Sequence, residues 1–182
     1  MYIFITNPNA RSGLGHKIWD DIETVLKKRG VTYQVYFTKY QQHATKIVRQ
    51  ITSDHERHNI IVLGGDGTVN EVINGIDCLA NVTLGYIPIG SSNDFARGLG
   101  LPADPLKALE NILAPVRHLA INIGVLEYGD KRRRFSVSTG LGFDAGVCHE
   151  VMVSRLKVFL NKIKLGKLSY AGVALHRMIS LD

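Results

Sequence analysis

The sequence runs Asn59-Ile60-Ile61-Val62-Leu63-Gly64-Gly65-Asp66-Gly67-Thr68-Val69-Asn70-Glu71 at the point that decides the fold. An apolar run typical of a strand passes through three glycines directly into a helical pattern. Such a turn brings backbone N–H groups and the positive end of a helix together, and this binds phosphate without a cationic side chain. Asp66 is unusual there, because phosphates repel a carboxylate unless a cation lies between them. A magnesium–nucleotide complex meets that condition; an aspartate that merely caps the helix is the simpler alternative.

Two further loops are rich in small and amide residues. Residues 7–15 follow the apolar run at 2–6, and residues 88–97 follow the apolar run at 82–87. In an open parallel sheet, loops that follow strands gather at the carboxyl edge, where ligands bind. The sequence therefore predicts one ligand site built from three loops.

Strands and helices alternate through the first two thirds of the chain. Apolar runs predict strands at residues 2–6, 32–37, 59–63 and 82–87, and helical patterns occupy residues 14–29, 41–53, 68–77 and 105–113. This alternation predicts an α/β fold, an open parallel sheet flanked by helices on both faces. We expect residues 1–115 to form this nucleotide-binding domain. Alternation around the turn Gly129-Asp130 predicts a hairpin of strands 120–128 and 131–138, which opens a β-rich second domain at 116–182 with a helix at 145–179.

Together the three loops resemble the diacylglycerol kinase catalytic domain, which also occurs in sphingosine kinases and soluble bacterial lipid kinases. The resemblance implies transfer of the γ-phosphoryl group of Mg-ATP to a lipid hydroxyl, with diacylglycerol as the leading acceptor. NAD kinases share Gly-Gly-Asp-Gly-Thr, but Asn70-Glu71-Val72 and Asn93-Asp94-Phe95-Ala96-Arg97 favour the lipid-kinase branch. A soluble-metabolite kinase similar to NAD kinase and a nucleotide-binding module without catalysis remain as alternatives.

The resemblance also implies roles for individual residues. The residues expected to bind nucleotide are Asn7, Pro8, Asn9, Ala10, Arg11, Thr38, Gly64, Gly65, Asp66, Gly67, Thr68, Val69, Asn70 and Ser91. Asp66 and Asp94 are expected to support catalysis, and Asp66 to face the metal-bound phosphates through Mg²⁺ or water. Asn122 stands where relatives often place an aspartate. Because the family's general base is expected beyond residue 182, we expect these 182 residues alone to bind nucleotide without turnover.

Charge and composition indicate the surroundings of the protein. The formal net charge is +6, and basic residues concentrate at 131–134 and along the predicted helix at 155–167. Basic charge gains about 1 kcal/mol per residue near anionic lipid, so we expect a lipid substrate at an anionic membrane surface. Nucleic acid is not expected, because the segment has no recognised reader motif. Two cysteines and the absence of a leader or a membrane-length apolar run favour a cytoplasmic, peripherally associated protein, and an unpaired hairpin edge favours a homo-oligomer.

Overall fold

Four parallel strands form the central sheet in the computed structural model, which describes residues 1–139 and the single helical positions Ala145 and Val173. The strand order is β2-β1-β3-β4, and every neighbouring pair is parallel. The strands are β1 Tyr2–Thr6, β2 Tyr33–Phe37, β3 His58–Gly64 and β4 Val82–Pro88. The chain crosses from β1 to one side and then to the other, so the order reverses between β1 and β3. The predicted α/β fold with an open parallel sheet is confirmed.

Helices cover both faces of the sheet. Their bounds are α1 Ala10–Gly13, α2 Gly15–Lys28, α3 His43–Thr52, α4 Asp66–Gly75, α5 Asp94–Gly98 and α6 Pro105–Leu113. Ile3 and Ile5 of β1 belong to the core on the α3 and α4 side, whereas Phe4 belongs to the core on the α2 and α6 side. Strands buried on both faces need continuous apolar runs, which explains the four consecutive apolar residues of β3, Ile60 to Leu63.

An aromatic cluster anchors α2 to the sheet. Trp19 of α2 is 3% exposed, and its ring centroid lies 5.2 Å from that of Phe4 and 5.7 Å from that of Tyr33. The rings meet edge to face, which is the arrangement that aromatic quadrupoles favour. The cluster fixes the helix that follows the first loop.

A hairpin follows the parallel sheet. Its strands are β5 Gly124–Tyr128 and β6 Lys131–Phe135, and Gly129 in the turn has a φ of 58°. The prediction that β5 starts at residue 120 was wrong, because pairing ends at the Gly124–Phe135 partners and residues 120–123 face no strand among those described.

The chain divides into two compact units, residues 1–137 and residues 138–182. The hairpin thus belongs with the parallel sheet, while a boundary near residue 115 and a β-rich second domain stay predictions. The helix predicted at 145–179 lies outside the described residues except at Ala145 and Val173. In the described part of the chain, no helix has the length and apolar character needed to cross a membrane.

Candidate functional site

The first two predicted loops meet where the strand order reverses. The backbone N–H of Asn7, just after β1, donates to the carbonyl of Leu63 at 2.9 Å. The Asn7 side-chain amide donates to Oγ1 of Thr68 at 3.3 Å, so it joins the end of β1 to the start of α4. The carboxyl edge at such a reversal is the usual ligand position in open α/β sheets.

The second and third loops cross with almost no space between their backbones. The N–H of Ile89 donates to the carbonyl of Gly64 at 2.9 Å. A Cβ atom on Gly90 would lie 2.6 Å from Cα of Gly65, and one on Gly64 would lie 2.6 Å from Oγ1 of Thr68. Packing between the two loops therefore requires glycine at position 90, and packing within the second loop requires it at position 64.

Gly67 has different surroundings. It is exposed, and a Cβ atom there would meet no atom within 4 Å. Gly65 occupies the N-cap of α4 without a side-chain hydrogen bond, while the amides of Thr68 and Val69 donate to the Gly65 carbonyl. No acceptor within residues 1–139 bonds the amides of Asp66 and Gly67. Unpaired amides at a helix N-terminus, with the helix dipole behind them, form an anion site.

Asp66 caps a helix, but not its own. Its two carboxylate oxygens accept hydrogen bonds from the backbone N–H groups of Asp94 and Phe95, both at 3.0 Å. These are the first amides of α5, so the carboxylate also compensates the positive end of that helix. A carboxylate offers about four acceptor positions, and two of them are used here. Asp66 thus holds the second and third loops together and keeps capacity for a cation.

Asn93 fixes the turn before α5. It adopts a left-handed conformation with φ of 52°, which asparagine tolerates better than most residues. Its Oδ1 accepts from the Gly90 N–H at 2.8 Å and from the Tyr86 hydroxyl at 3.3 Å, and its Nδ2 donates to the Gly90 carbonyl at 3.0 Å. Burial raises the pKa of Tyr86, and the charges of Asp66 and Asp94 raise it further, so the hydroxyl remains a donor.

Most of the other predicted residues lie in the loops that follow the strands. Thr38 directly follows β2, and its N–H donates to the carbonyl of Thr6 in β1 at 2.8 Å. The N–H groups of Asn9 and Ala10 donate back to Asn7, to its side chain at 3.0 Å and its carbonyl at 3.2 Å. The residues that lie along the same loops are Pro8, Arg11 with φ of 53°, and the exposed Ser91.

Three further predicted residues contact the protein itself: Val69 contacts the core, Asn70 the hairpin and Asp94 its own helix. Val69 is fully buried in the core, so its side chain supports the helix. Asn70 donates from Nδ2 to the carbonyl of Arg134 in the hairpin at 3.1 Å. Asp94 is paired with Arg97 of the same helix. The structure therefore brings Asn7, Thr68, Asp66 and Asp94 together, while Asn70 faces the hairpin.

Sequence reasoning missed the structural role of Glu71. Its carboxylate accepts from the Ala44 N–H at 3.3 Å, and its carbonyl accepts from Oγ1 of Thr45 at 2.8 Å. The motif residues Asp66 and Glu71 thus cap α5 and α3 respectively. Acidic residues in a glycine-rich turn signal capping, but their partners lie 27 to 29 positions away. Within residues 1–139 no group of three or more His, Cys, Asp or Glu side chains could hold a metal ion.

Comparisons with known proteins agree with this geometry. Residues 1–124 match the family described as the diacylglycerol kinase catalytic domain. The chain is 31% identical over 181 residues to the Bacillus subtilis protein named "Putative lipid kinase YtlR", covering 96% of this chain and 58% of that protein. It is 54% identical over 122 residues to a Bacillus subtilis diacylglycerol kinase, covering 66% of this chain and 40% of the relative. The chain thus spans about half the length of these two relatives.

A solved structure of a diacylglycerol kinase from Bacillus anthracis superimposes with a TM-score of 0.53. The two are 36% identical, and the match covers 61% of this chain and 38% of the other. The family match at residues 1–124 covers the parallel sheet and its loops. The chain belongs to the diacylglycerol kinase catalytic domain family.

Proposed function

We propose that this chain is the nucleotide-binding part of an ATP-dependent lipid kinase, which transfers the γ-phosphoryl group of Mg-ATP to a lipid hydroxyl, with diacylglycerol as the acceptor. The observation that carries the proposal is the N-terminus of α4. There the amides of Asp66 and Gly67 are unpaired within residues 1–139, and the missing Cβ of Gly67 leaves space for phosphates. Family membership supports kinase chemistry.

The side chains at this edge fit a magnesium–nucleotide complex. Mg²⁺ prefers one or two carboxylates plus phosphate oxygens and water to a cage made wholly of protein. Asp66 retains acceptor positions beyond its two backbone contacts, and Asp94 lies at the adjacent helix start. When bound, the ion would neutralise phosphate charge. The residues of the chain orient the phosphates, since phosphoryl transfer depends mainly on positioning and charge stabilisation.

The nucleotide site is tested by substituting Gly67. A Cβ atom at this position meets no heavy atom within 4 Å, so a valine side chain there starts in the open space proposed for the phosphates. Calorimetry with Mg-ATP should show binding to the native chain and at least about a 100-fold loss of affinity in Gly67→Val. Losing the phosphate hydrogen bonds of two amides costs about 1.5–3 kcal/mol each, and about 1.4 kcal/mol is tenfold in affinity. Gln50→Val is the matched control, because it adds the same side chain to an exposed position of α3. Equal affinity in Gly67→Val and the native chain would contradict the site.

The acceptor is tested with the full-length protein and labelled ATP. Label should pass to diacylglycerol in mixed micelles and not to NAD. Transfer to NAD would favour the soluble-metabolite alternative. Binding of nucleotide without transfer to any lipid would favour a module without catalysis.

We also propose contact with anionic membrane through the hairpin, on the basis of charge. Lys131 and Arg132 of β6 are exposed. Changing both to Gln should weaken the free energy of binding to phosphatidylglycerol vesicles by about 1 kcal/mol for each residue at low salt. Sedimentation of the protein with the vesicles measures this binding. Lys28 and Lys107 are matched controls, because both are exposed and lie on α2 and α6. Equal losses in both pairs would show that net charge alone governs association.

A further inference from the structure

The hairpin is fastened to the helix that follows the glycine motif. The side-chain amide of Asn74 donates to the carbonyl of Arg134 at 2.9 Å and accepts from the Arg134 N–H at 2.9 Å. One side chain therefore pairs with both peptide groups of one residue, as a neighbouring strand would. This contact sets the position of β6 along α4.

The guanidinium of Arg134 closes the carboxyl end of α4. It donates to the carbonyls of Ile73 at 3.0 Å, Ile76 at 2.5 Å and Asp77 at 3.4 Å. The last carbonyls of a helix have no partner within the helix, and a cation there interacts favourably with the dipole. Arg134 thus supplies a C-terminal cap from a strand about sixty residues away.

Two other contacts hold the helix, one near its middle and one at its carboxyl end. Asn70, one turn earlier, donates to the Arg134 carbonyl and accepts from Nη2 of Arg133 at 3.3 Å. On the α3 side, a Cβ atom at Gly75 would lie 2.6 Å from the Thr45 carbonyl oxygen. The helix can neither slide toward α3 nor turn about its axis without breaking these contacts.

A groove of about 250 Å³ runs beside this seam, lined by Arg49, Asn74, Gly75, Ile76, Asp77, Arg132 and Arg134. Most of its charges have partners within the protein. Arg134 bonds the helix carbonyls, Arg132 lies 3.3 Å from Glu127, and Asp77 lies 3.2 Å from His55. The groove is therefore better explained as the border of a fixed contact than as a ligand pocket.

We propose that Asn74 and Arg134 are positioning residues for the phosphate-binding end of α4. A helix of ten residues is about 15 Å long and moves as one body, so its carboxyl-end contacts set the place of the Asp66 and Gly67 amides. Catalytic and binding groups have to be held within about 0.5 Å of their productive geometry. The inference rests on the proposed nucleotide site, and it assigns the hairpin the task of aligning that site.

The test compares two variants of the contact with a control on the same strand. Asn74→Ala removes the paired amide, and Arg134→Lys retains the charge but loses the planar fork that reaches three carbonyls. Calorimetry should show about a 10-fold rise in the Kd for Mg-ATP in Asn74→Ala, which corresponds to about 1.4 kcal/mol, and a smaller rise in Arg134→Lys. Arg132→Ala should bind as the native chain does, because Arg132 makes no hydrogen bond with α4.

A second readout separates positioning from general loss of structure. The affinity for adenosine, which has no phosphates, should stay unchanged in both variants. Amide hydrogen exchange should quicken at residues 65–68 and stay constant in α2. Equal loss of adenosine and Mg-ATP affinity, or unchanged Mg-ATP affinity in both variants, would overturn the inference. If circular dichroism shows that Asn74→Ala is unfolded, the affinities of Arg134→Lys for Mg-ATP and adenosine decide whether the inference holds. Absence of Mg-ATP binding by the native chain would instead refute the proposed function.

Discussion

The two ends of α4 differ in how their backbone groups are satisfied. At the carboxyl end, Arg134 from the hairpin bonds the last carbonyls. At the amino end, Gly65 provides no side-chain cap, and the amides of Asp66 and Gly67 find no acceptor within residues 1–139. Unsatisfied helix ends are completed by side chains, water or ligands. Protein groups thus anchor the helix at its carboxyl end, whereas its first two amides have no protein acceptor in the described part of the chain.

The same contrast occurs between glycines only two residues apart. Gly65 lies against the backbone of Gly90, whereas Gly67 faces open space. A glycine-rich motif therefore contains positions required by packing and a position that packing leaves open. Substitutions at the two kinds of glycine should therefore differ in their effects on stability and on nucleotide affinity.

The largest effect is expected at the loop crossing. Gly90→Val would place Cβ 2.6 Å from Cα of Gly65 and 2.8 Å from Oδ1 of Asn93. Both loops have to shift, and we expect the free energy of unfolding in urea to fall by about 3 kcal/mol. Gly98→Val is the matched control, because a Cβ atom there meets nothing within 4 Å; it should change stability by no more than about 0.5 kcal/mol. Similar losses of unfolding free energy in both variants would show that the two loops can move apart at Gly90 without a special cost.

A smaller effect is expected where Asp66 caps α5. Asp66→Asn turns one acceptor oxygen into a donor that opposes the N–H of Asp94 or Phe95. Leaving such a group unsatisfied costs about 1–3 kcal/mol, measured by urea unfolding. Asp94→Asn is the control, because that exposed carboxylate pairs with Arg97 and such surface pairs contribute about 0–1 kcal/mol. A loss in Asp94→Asn as large as in Asp66→Asn would contradict the capping role.

At the open end, the effect on stability should be small and of opposite sign. Gly67→Ala adds a methyl group to free space in the first turn of α4. Replacing a helical glycine with alanine gains about 0.5–1 kcal/mol, so thermal unfolding should occur at a slightly higher temperature. Mg-ATP affinity should fall in the same variant. A variant that is both less stable and unchanged in affinity would place Gly67 with the packing glycines.

The smallest effect concerns pH at the amino end of β3. His58 contacts Asp54 at 2.8 Å, and this contact, with the Glu56 N–H, lowers the pKa of Asp54. A carboxyl whose pKa is lowered on folding stabilises the fold above its unfolded pKa of about 3.9, and this is lost as pH falls through the folded value. Asp54→Asn should therefore reduce the difference in unfolding temperature between pH 7 and pH 3. An unchanged difference in unfolding temperature would show that the contact between His58 and Asp54 does not stabilise the fold.

Local patterns predicted most elements closely. Strand β1 and helix α6 have the predicted bounds, β2 and β4 differ from their predictions by one residue at one end, and β3 differs by one residue at each end. These elements were predictable because their signals, continuous apolar runs and the Asp104-Pro105 helix start, each occupy only a few neighbouring residues. Helix α5 was not predicted, because its five residues are too few for periodicity and its cap comes from Asp66, 28 positions earlier.

The gathering of the loops was predicted, but the connections between them were not. That three loops gather at one edge follows from parallel strands, and the structure places Asn7 beside Thr68 as expected. The partners of Asp66, Glu71 and Asn70 could not be predicted. Each depends on which distant backbone the fold brings to that side chain, and one sequence contains no local signal for such pairs.

The aromatic cluster around Trp19 gives the protein a built-in optical reporter. Trp19 is the single tryptophan of the chain, and its indole is shielded beside Phe4 and Tyr33. Shielded indoles fluoresce at shorter wavelengths and shift to the red when water reaches them. Because Trp19 belongs to the core on the α2 and α6 side and α4 packs on the other side, its emission should follow loss of the whole fold and ignore a displacement of α4. Native fluorescence can therefore tell an unfolded variant from a folded one that has lost its ligand.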